Sequence, residues 1–234
     1  MEYLRSCAKE IGITINEEQL SQFEQYYKML IEKNKVMNLT AITEKKEVIV
    51  KHFLDSIAPM SKLTFSKKHL LDLGTGAGFP GIPLKIMNPD CSITLLDSLN
   101  KRVLFLNEVI EALSLEKIEA IHGRAEEIAR KKEYREQYDL VCSRAVANLS
   151  TLSEYCLPFV AMNGYFISYK SGNVEEELEK SKGAIYLCGG KCESVDHFML
   201  PDSDISRSLV AIKKVKKTPK QYPRKSGTPS KNPL

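Results

Sequence analysis

Residues 69–81 read HLLDLGTGAGFPG, an apolar segment that runs directly into a loop of four glycines. Residues 69–73 predict a short buried strand, and the glycines permit positive φ angles and a close approach of a ligand to the backbone. Residues 82–87 then predict a helix, and residues 92–97 predict a second strand that ends at Asp97. Asp97 follows Gly74 by 23 residues, a spacing typical of a carboxylate that binds ribose hydroxyls. This arrangement predicts a site for a nucleoside cofactor.

The spacing of the glycines indicates which kind of nucleoside the loop binds. Dinucleotide-binding loops read Gly-x-Gly-x-x-Gly, whereas this loop reads Asp-x-Gly-x-Gly-x-Gly from Asp72 onward. No Walker lysine follows, which excludes a P-loop. The pattern resembles motif I of class I S-adenosylmethionine-dependent methyltransferases. The resemblance implies that Asp97 holds the ribose of that cofactor, and that the amino acid portion is held by Asp72 and the loop glycines Gly74, Gly76 and Gly78.

Two later strand ends extend the predicted site. Gly123-Arg124-Ala125-Glu126 follows the third predicted strand, where class I enzymes contact adenine. Many of them have an acid in place of Arg124, so we expect the contact from Ala125 and Glu126. Cys142-Ser143-Arg144 ends the fourth strand, where such enzymes place catalytic groups. The chain shows there neither the Asn/Asp-Pro-Pro-aromatic motif of amino-group methyltransferases nor a convincing cysteine nucleophile. The ring nitrogen N7 of guanine needs neither, because its lone pair carries no proton and can attack a methyl group directly.

The rest of the chain predicts an α/β protein with three parts. Further strands are predicted over 118–121, 138–142 and 164–169, and residues 191–200 and 207–214 predict a closing hairpin. Helices separate the strands: Ser98 is predicted to cap the helix after the second strand, and another helix is predicted over 149–160. Repeated strand-helix units indicate a mostly parallel sheet with helices on both faces. We therefore predict a helical extension over 1–60, a Rossmann-like methyltransferase domain over 61–214 and a tail over 215–234. In the extension, Asn16 and Gln19 predict a capping box, followed by an apolar face of Leu20, Phe23, Tyr27, Leu30 and Ile31.

Charge is distributed unevenly along the chain. Residues 213–234 contain eight of the 34 Lys and Arg and none of the 30 Asp and Glu. The remaining residues therefore hold 26 basic and 30 acidic side chains and are slightly acidic. A basic tail on an acidic body indicates a polyanionic partner such as RNA, DNA or an acidic membrane surface, although a solubilising tail gives the same pattern. Four prolines in the tail predict an extended segment that becomes ordered on RNA.

Composition excludes several other classes of protein. The chain is 43% hydrophobic and 27% charged, which is ordinary for a globular protein and excludes collagen, coiled-coil rods and wholly disordered chains. No apolar run has the length of a membrane span, and the first residues lack the apolar core of a secretory signal. We expect a cytoplasmic protein that is a monomer and uses no metal, with six reduced and mostly buried cysteines.

The chain resembles the RsmG family, also called glucose-inhibited division protein B, of bacterial 16S rRNA guanine-N7 methyltransferases. The tail pattern and His52-x-x-Asp55-Ser56 are more particular to this family than the glycine loop. The resemblance implies S-adenosylmethionine as cofactor and a target guanine in the decoding region of the small ribosomal subunit. It implies cofactor contacts at Gly74, Phe79, Ala125, Glu126 and Arg144. The matching stretches are residues 38–42, 52–56, 72–81, 97–98, 124–126 and 143–146, and 217–229 in the tail.

Several assignments have alternative interpretations. His52 and Asp55 lie on one helix face and are either a surface pair or catalytic groups near the RNA, which the resemblance favours. Arg144 is either a structural ion-pair partner or a catalytic residue that recognises phosphate or guanine. Lys170 either faces the site or lies in a solvated turn. The predicted RNA contacts in the tail are Lys216, Lys217, Lys220, Arg224 and Lys225, together with the neighbouring Lys213 and Lys214, and Tyr222 as a stacking surface.

Two other functions remain open from the sequence. The first is a methyltransferase that acts on a small molecule or a protein, which leaves the basic tail unexplained. The second is a nucleic-acid-binding protein with a vestigial cofactor site, against which the intact glycine loop and Asp97 argue.

Overall fold

A computed structural model describes residues 1–144 and 147–234. The chain begins with helices, as predicted for residues 1–60. The side chain of Asn16 accepts the Gln19 N–H at 2.8 Å, and the side chain of Gln19 accepts the Asn16 N–H at 2.9 Å, which confirms the capping box. The elements of this part are α1 (Glu2–Glu10), α2 (Glu17–Met37), α3 (Lys45–Val48), a π-helical turn (Ile49–Leu54), α4 (Asp55–Ile57) and a 3-10 turn (Ala58–Ser61).

Strands alternate with helices in the rest of the chain, and a hairpin closes the sheet, both as predicted. In chain order the elements are β1 (His69–Leu73), α5 (Gly81–Met87), β2 (Ser92–Asp97), α6 (Asn100–Ala112), β3 (Ile118–His122), α7 (Ala125–Ile128), β4 (Tyr138–Ser143), α8 (Leu149–Cys156), β5 (Val160–Ser171), α9 (Glu175–Leu187), β6 (Gly190–Met199), β7 (Ser206–Lys214) and α10 (Thr228–Lys231).

The seven strands form one sheet in the order β3-β2-β1-β4-β5-β7-β6. Strands β1 to β5 pair in parallel, and β7 lies antiparallel between β5 and β6. The strand order reverses between β1 and β4, and at such a switch point the connections leave in opposite directions and open a crevice at the carboxyl ends of the strands. The predicted α/β fold with a mostly parallel sheet is confirmed, and the crevice fixes where a ligand can bind.

Hydrophobic cores cover both faces of the sheet. One joins the N-terminal helices, α5 and α6 to the sheet, and the other joins α7, α8 and α9 to it. Phe23 and Phe53, from two N-terminal helices, lie 5.0 Å apart between ring centroids within the first core. The helical extension therefore packs directly on the sheet. The predicted inner face of α2 needs one correction: Tyr26 is fully buried, whereas Tyr27 and Ile31 are only partly buried, because Tyr26 lies one turn from Phe23 on the face that meets the sheet.

Two local predictions are wrong. The helix predicted over 149–160 ends at Cys156, and β5 already begins at Val160, because Pro158 has no N–H to continue the helix. Ser98 does not cap the helix that follows β2, which begins only at Asn100. Asp97 accepts the Leu99 N–H on its Oδ1 at 2.9 Å instead, so the carboxylate that the site requires also orders the start of this helix.

The tail is docked on the body of the protein, which corrects the prediction of an extended segment. Arg135 donates to the carbonyl oxygens of Thr218 at 2.9 Å and Tyr222 at 3.1 Å. Arg224 donates to both carboxylate oxygens of Glu154, a side chain that is completely buried. Charge-assisted hydrogen bonds of this kind are about twice as strong as neutral ones, and they fix the tail against α8.

Within the described ranges 1–144 and 147–234, no helix is both long and apolar enough to span a membrane. The same residues bring no three His, Cys, Asp or Glu side chains together in a group that could hold a metal ion. The six cysteines are free thiols, five of them buried.

Candidate active site

The glycine loop after β1 is held by side chains from two other elements. Gly76 has a φ of +63°, and its N–H donates to Oδ2 of Asp97 at 2.9 Å. From α2, the Tyr26 hydroxyl donates to the carbonyl oxygen of Ala77 at 2.5 Å. A Cβ at Gly78, which has a φ of +106°, would lie 2.7 Å from that hydroxyl. Glycine at this position therefore allows α2 to pack against the loop.

Asp72, the acid before the loop, forms hydrogen bonds with residues at both ends of the loop. Its Oδ2 accepts the Thr75 hydroxyl at 2.6 Å and the Gly81 N–H at 2.8 Å. Burial raises the pKa of Asp72 to about 6. The two hydrogen bonds favour the charged carboxylate and therefore oppose part of this increase. Its other oxygen, Oδ1, is buried without a hydrogen-bond partner among the described residues, so the carboxylate retains capacity to accept from a ligand.

A cavity of about 310 Å³ opens at the carboxyl ends of β1, β2 and β3. Gly74, Asp97, Ala125 and Glu126 line it, as the sequence predicts for cofactor contacts. The C-terminal segment forms another part of its wall: the Gly227 N–H donates to Oε1 of Glu126 at 2.8 Å. The apolar part of the lining comes from Leu73, Leu96, Leu152 and the ring of Tyr155.

These residues fit a nucleoside. Carboxylates at Asp97 and Glu126 are acceptors for ribose hydroxyls and a ring amino group, and the apolar side chains offer a surface for the base. The unpartnered Oδ1 of Asp72, at the start of the loop, fits the ammonium group of an amino acid. S-adenosylmethionine combines a nucleoside with an amino acid, and the loop, Asp97 and Glu126 are the groups that would hold it.

A second group of side chains surrounds Phe79, on the other side of the glycine loop. The His52 ring stacks on Phe79 with 4.6 Å between centroids, and Cζ of Arg144 lies 5.0 Å from the same ring. Arg144 donates to Oδ2 of Asp55 at 3.1 Å, and Arg207 of β7 donates to Oδ1 of Asp55 at 2.8 Å. Asp55 is almost completely buried. One carboxylate thus orients two arginines, one directly after β4 and one on β7.

His52 is neutral and fully engaged in this cluster. Its Nδ1 lies 3.3 Å from Nη2 of Arg144, and because arginine only donates, Nδ1 accepts and the ring proton belongs on Nε2. Nε2 lies 2.8 Å from the hydroxyl of Thr40. Burial, followed by the charge of Arg144, lowers the pKa of His52 to about 4. At neutral pH the ring is therefore uncharged, with both nitrogens occupied.

Beside this cluster lies a larger cavity of about 730 Å³ at the carboxyl ends of β4 and β5. Four cations, Lys51, Arg144, Lys170 and Arg207, line it, together with His52 and the carboxylates of Asp55 and Glu177. Ala147 lines both cavities, so the two are neighbours. A group bound in the cationic cavity therefore lies next to the ligand of the nucleoside cavity.

The predicted site residues divide between these two cavities. Gly74, Asp97, Ala125 and Glu126 border the nucleoside cavity, and Arg144, His52 and Asp55 border the cationic one. Gly76, Gly78 and Phe79 shape the loop and its contacts. Asp55 is buried and His52 is half-buried, and both line the cationic cavity instead of forming an exposed surface pair. Ala145 and Val146 of the predicted motif lie outside the described residues.

The predicted RNA contacts in the tail fall into two groups. Lys216, Lys217, Lys220 and Lys225 are exposed. Tyr222 is buried in the second core, so the prediction of a stacking surface there is wrong. Arg224 is occupied by Glu154, and Lys214 is fully buried, with its Nζ donating to the carbonyl oxygen of Leu157 at 2.5 Å. These side chains secure the tail and are not free to contact phosphates.

Sequence reasoning missed four residues of the site. Tyr26 and Thr40 support the loop and His52, and Arg207 and Glu177 complete the cationic cavity. Thr40 lies within residues 38–42, one of the stretches that match the family, and that match is the sequence feature that could have identified it. The other three are ordinary helix or strand residues in sequence, and only the folded chain brings them to the crevice.

Comparisons with known proteins agree with this geometry. A family model described as rRNA small subunit methyltransferase G matches residues 19–210. A protein of that name from Lachnoclostridium phytofermentans is 57% identical over 227 residues, covering 97% of this chain and 94% of the relative. One of the same name from Bacillus licheniformis is 51% identical over 224 residues, covering 95% of this chain and 94% of the relative.

Solved structures show the same fold at low sequence identity. TYW2 from M. jannaschii in complex with AdoMet matches with a TM-score of 0.56 and 15% identity, over 74% of this chain and 78% of that one. A putative transferase from Pyrococcus horikoshii matches with a TM-score of 0.56 and 12% identity, over 70% of this chain and 64% of that one. The strand order, the glycine loop and the carboxylate at the end of β2 define a class I S-adenosylmethionine-dependent methyltransferase. The chain belongs to the rRNA small subunit methyltransferase G family, and S-adenosylmethionine is its cofactor.

Proposed function

We propose that the protein methylates N7 of a guanine in the decoding region of 16S rRNA, with S-adenosylmethionine as the methyl donor and without a general base. Membership of the rRNA small subunit methyltransferase G family supports the RNA substrate. The cationic cavity beside the nucleoside cavity supports a single nucleotide as the acceptor. Its volume of about 730 Å³ leaves room for a base that has left its stack, as enzymes acting on bases require.

The observation that carries the chemistry is the state of the two titratable groups, His52 and Asp55, in the cluster around Phe79. His52 has both ring nitrogens engaged and a pKa lowered to about 4 by burial. Asp55 has both oxygens on arginines. Neither group is placed to remove a proton from a substrate. Guanine N7 fits such a site, because its lone pair is already available and carries no proton.

The chain's contribution to the reaction is alignment. S-adenosylmethionine, when bound, supplies an electrophilic methyl group. Arg144 lies against Phe79 at the border of the glycine loop, and its planar guanidinium can bond a phosphate of the target nucleotide. Asp55 fixes this guanidinium, and fixed donors contribute to rate because no reorganisation is required during the reaction.

The exposed tail lysines support contact with the RNA backbone. Lys216, Lys217, Lys220 and Lys225 lie on the segment that reaches the nucleoside cavity through Gly227. Phosphates near the target can neutralise these charges and release counterions. We expect the protein to act as a monomer in the cytoplasm, where bacterial ribosomal subunits are found.

The test is methyl transfer from radiolabelled S-adenosylmethionine to small ribosomal subunits from cells that lack this gene. We expect label in the RNA fraction and not in the ribosomal proteins. Label in proteins, or only in a small-molecule extract of the same cells, would support the alternative of a protein or small-molecule methyltransferase.

A further inference from the structure

Lys170 and Glu177 form an ion pair in the wall of the cationic cavity. Lys170, near the end of β5, donates from Nζ to the carbonyl oxygen of Ala147 at 2.6 Å and to Oε1 of Glu177 at 2.7 Å. The same Oε1 accepts the Leu149 N–H at 2.6 Å. The Lys170 side chain is 11% exposed, and the Glu177 side chain is 31% exposed, so the pair lies at the cavity surface and not in the core.

Both partners retain hydrogen-bonding capacity. An ammonium group has three donors, and two of those on Lys170 are used. The hydrogen bonds of Glu177 with described residues end on Oε1, which leaves Oε2 for a ligand. The other carboxylate of the cavity, Asp55, has both of its oxygens on arginines. Of the two carboxylates that line this cavity, Glu177 is therefore the one whose second oxygen can accept a hydrogen bond from a ligand.

A guanine N7 methyltransferase cannot select its base through the reacting atom. Adenine also has an N7, and any donor bound to N7 would occupy the lone pair that attacks the methyl group. Guanine differs from adenine at its other edge, where O6 accepts and N1–H and the 2-amino group donate. Selection therefore requires one donor beside an acceptor that can take both N–H groups. Lys170 Nζ beside Oε2 of Glu177, an oxygen with two lone pairs and no partner among the described residues, has that pattern.

We infer that Lys170 and Glu177 recognise the target base, with the Lys170 ammonium on O6 and the Glu177 carboxylate on N1–H and the 2-amino group. This inference rests on the proposed function and adds the source of its base specificity. Adenine would place its 6-amino group against the ammonium and its N1 lone pair against the carboxylate. A site whose polar groups are arranged to hydrogen-bond one base rejects such a base because these groups lose their partners.

The strand order supports the orientation that this contact gives. Arg144 follows β4, which pairs with β1 and its glycine loop, whereas Lys170 lies on β5, one strand farther away. N7 and the 2-amino group lie on opposite sides of the purine. A base held at the β5 side by its N1 edge therefore directs N7 toward β4 and β1, where the nucleoside cavity begins.

The test compares guanine with hypoxanthine at the target position, in small subunits reconstituted with 16S rRNA that carries guanosine or inosine there. Inosine keeps N7, O6 and N1–H and lacks only the 2-amino group. For the wild-type enzyme we expect kcat/KM to be about ten-fold or more lower with inosine, the value of a lost specific base contact. For Glu177→Ala we expect kcat/KM to fall with guanosine and the preference for guanosine over inosine to disappear.

Three outcomes would overturn the inference. Equal rates of the wild-type enzyme on guanosine and inosine would do so whether or not the variant folds. A Glu177→Ala variant that loses activity equally on both, keeping the preference, would show a structural or proton-transfer role only. Full activity of that variant would show no role. Glu175→Gln, on the same helix and paired with His197, is the control and should keep both rate and preference. If the wild-type enzyme modifies no guanosine subunits, the proposed function itself fails.

Discussion

Asp55 joins the two arginines of the cationic cavity, and replacing it with asparagine tests that role. The carboxylate is 4% exposed, and the side chains of Arg144 and Arg207 are 17% and 19% exposed. Asparagine keeps the shape of the Asp55 side chain but removes its charge. Because both carboxylate oxygens accept from arginines, the amide NH2 that replaces one of them would face a hydrogen-bond donor. Removing one partner of a buried ion pair costs about 3 to 5 kcal/mol. Because both arginines retain some contact with water, we expect the lower end of that range, about 3 kcal/mol of unfolding free energy.

The assay is equilibrium unfolding in urea together with thermal melting. For a chain of this size a loss of about 3 kcal/mol lowers Tm by about 6 to 12 °C. Asp196→Asn is the matched control, because Asp196 pairs with Lys62 at 2.9 Å while both side chains are about 40% exposed. That change should cost less than about 1 kcal/mol. If Asp55→Asn is no more destabilising than Asp196→Asn, the carboxylate does not stabilise the two arginines as we describe.

Three further predictions concern the cofactor, the tail and pH. Asp97→Ala should weaken S-adenosylmethionine binding about ten-fold or more in calorimetry while RNA affinity stays unchanged; equal cofactor affinity would exclude the ribose contact. Replacing Lys217, Lys220 and Lys225 by glutamine should weaken RNA binding in filter assays and reduce the slope of log affinity against log salt by about 2 to 3, whereas an unaltered slope would exclude phosphate contacts. His52 has its pKa lowered from 6.5 to about 4, so below pH 6.5 the unfolded chain binds a proton that the native ring does not. The stability of wild type relative to His52→Asn should therefore fall by about 2 to 3 kcal/mol between pH 7 and pH 4.5, and a constant difference across that range would contradict a native ring that stays neutral.

The sheet could be predicted because its determinants are local. Residues 69–73 and 92–97 are apolar runs bounded by polar or turn residues, and β1 and β2 match them closely. The glycine loop and Asp97 are predictable for the same reason, since their spacing within one strand-helix-strand unit sets which side chains reach the crevice.

The tail could not be predicted because the contacts that hold it are distant in sequence. Arg135 reaches the carbonyl oxygens of Thr218 and Tyr222 across more than 80 residues, and Arg224 depends on Glu154 being buried. Proline and lysine content alone indicates an extended, solvated segment. The sequence offered no sign that two arginines would each find buried or backbone acceptors.

The cationic cavity was predicted only in part for a related reason. Arg144 and His52 were identified through motifs, but Arg207 comes from the closing hairpin and Glu177 from a helix whose first turn is acidic. Acids in the first turn of a helix are favourable for the helix itself. Nothing local separates Glu177 from Glu175 and Glu176, and only the packing of α9 against α8, which brings Glu177 to the Leu149 N–H and to Lys170, shows which of them lines the cavity.

The central claim is that the methyl group is placed on N7 of one guanine, and the product nucleoside tests it most directly. Small subunits from cells lacking the gene would be methylated with radiolabelled S-adenosylmethionine, and their 16S rRNA digested to nucleosides and separated. We predict that the label elutes with 7-methylguanosine and maps to a single position in the decoding region. Label in any other nucleoside, or distributed over many guanines, would contradict the account.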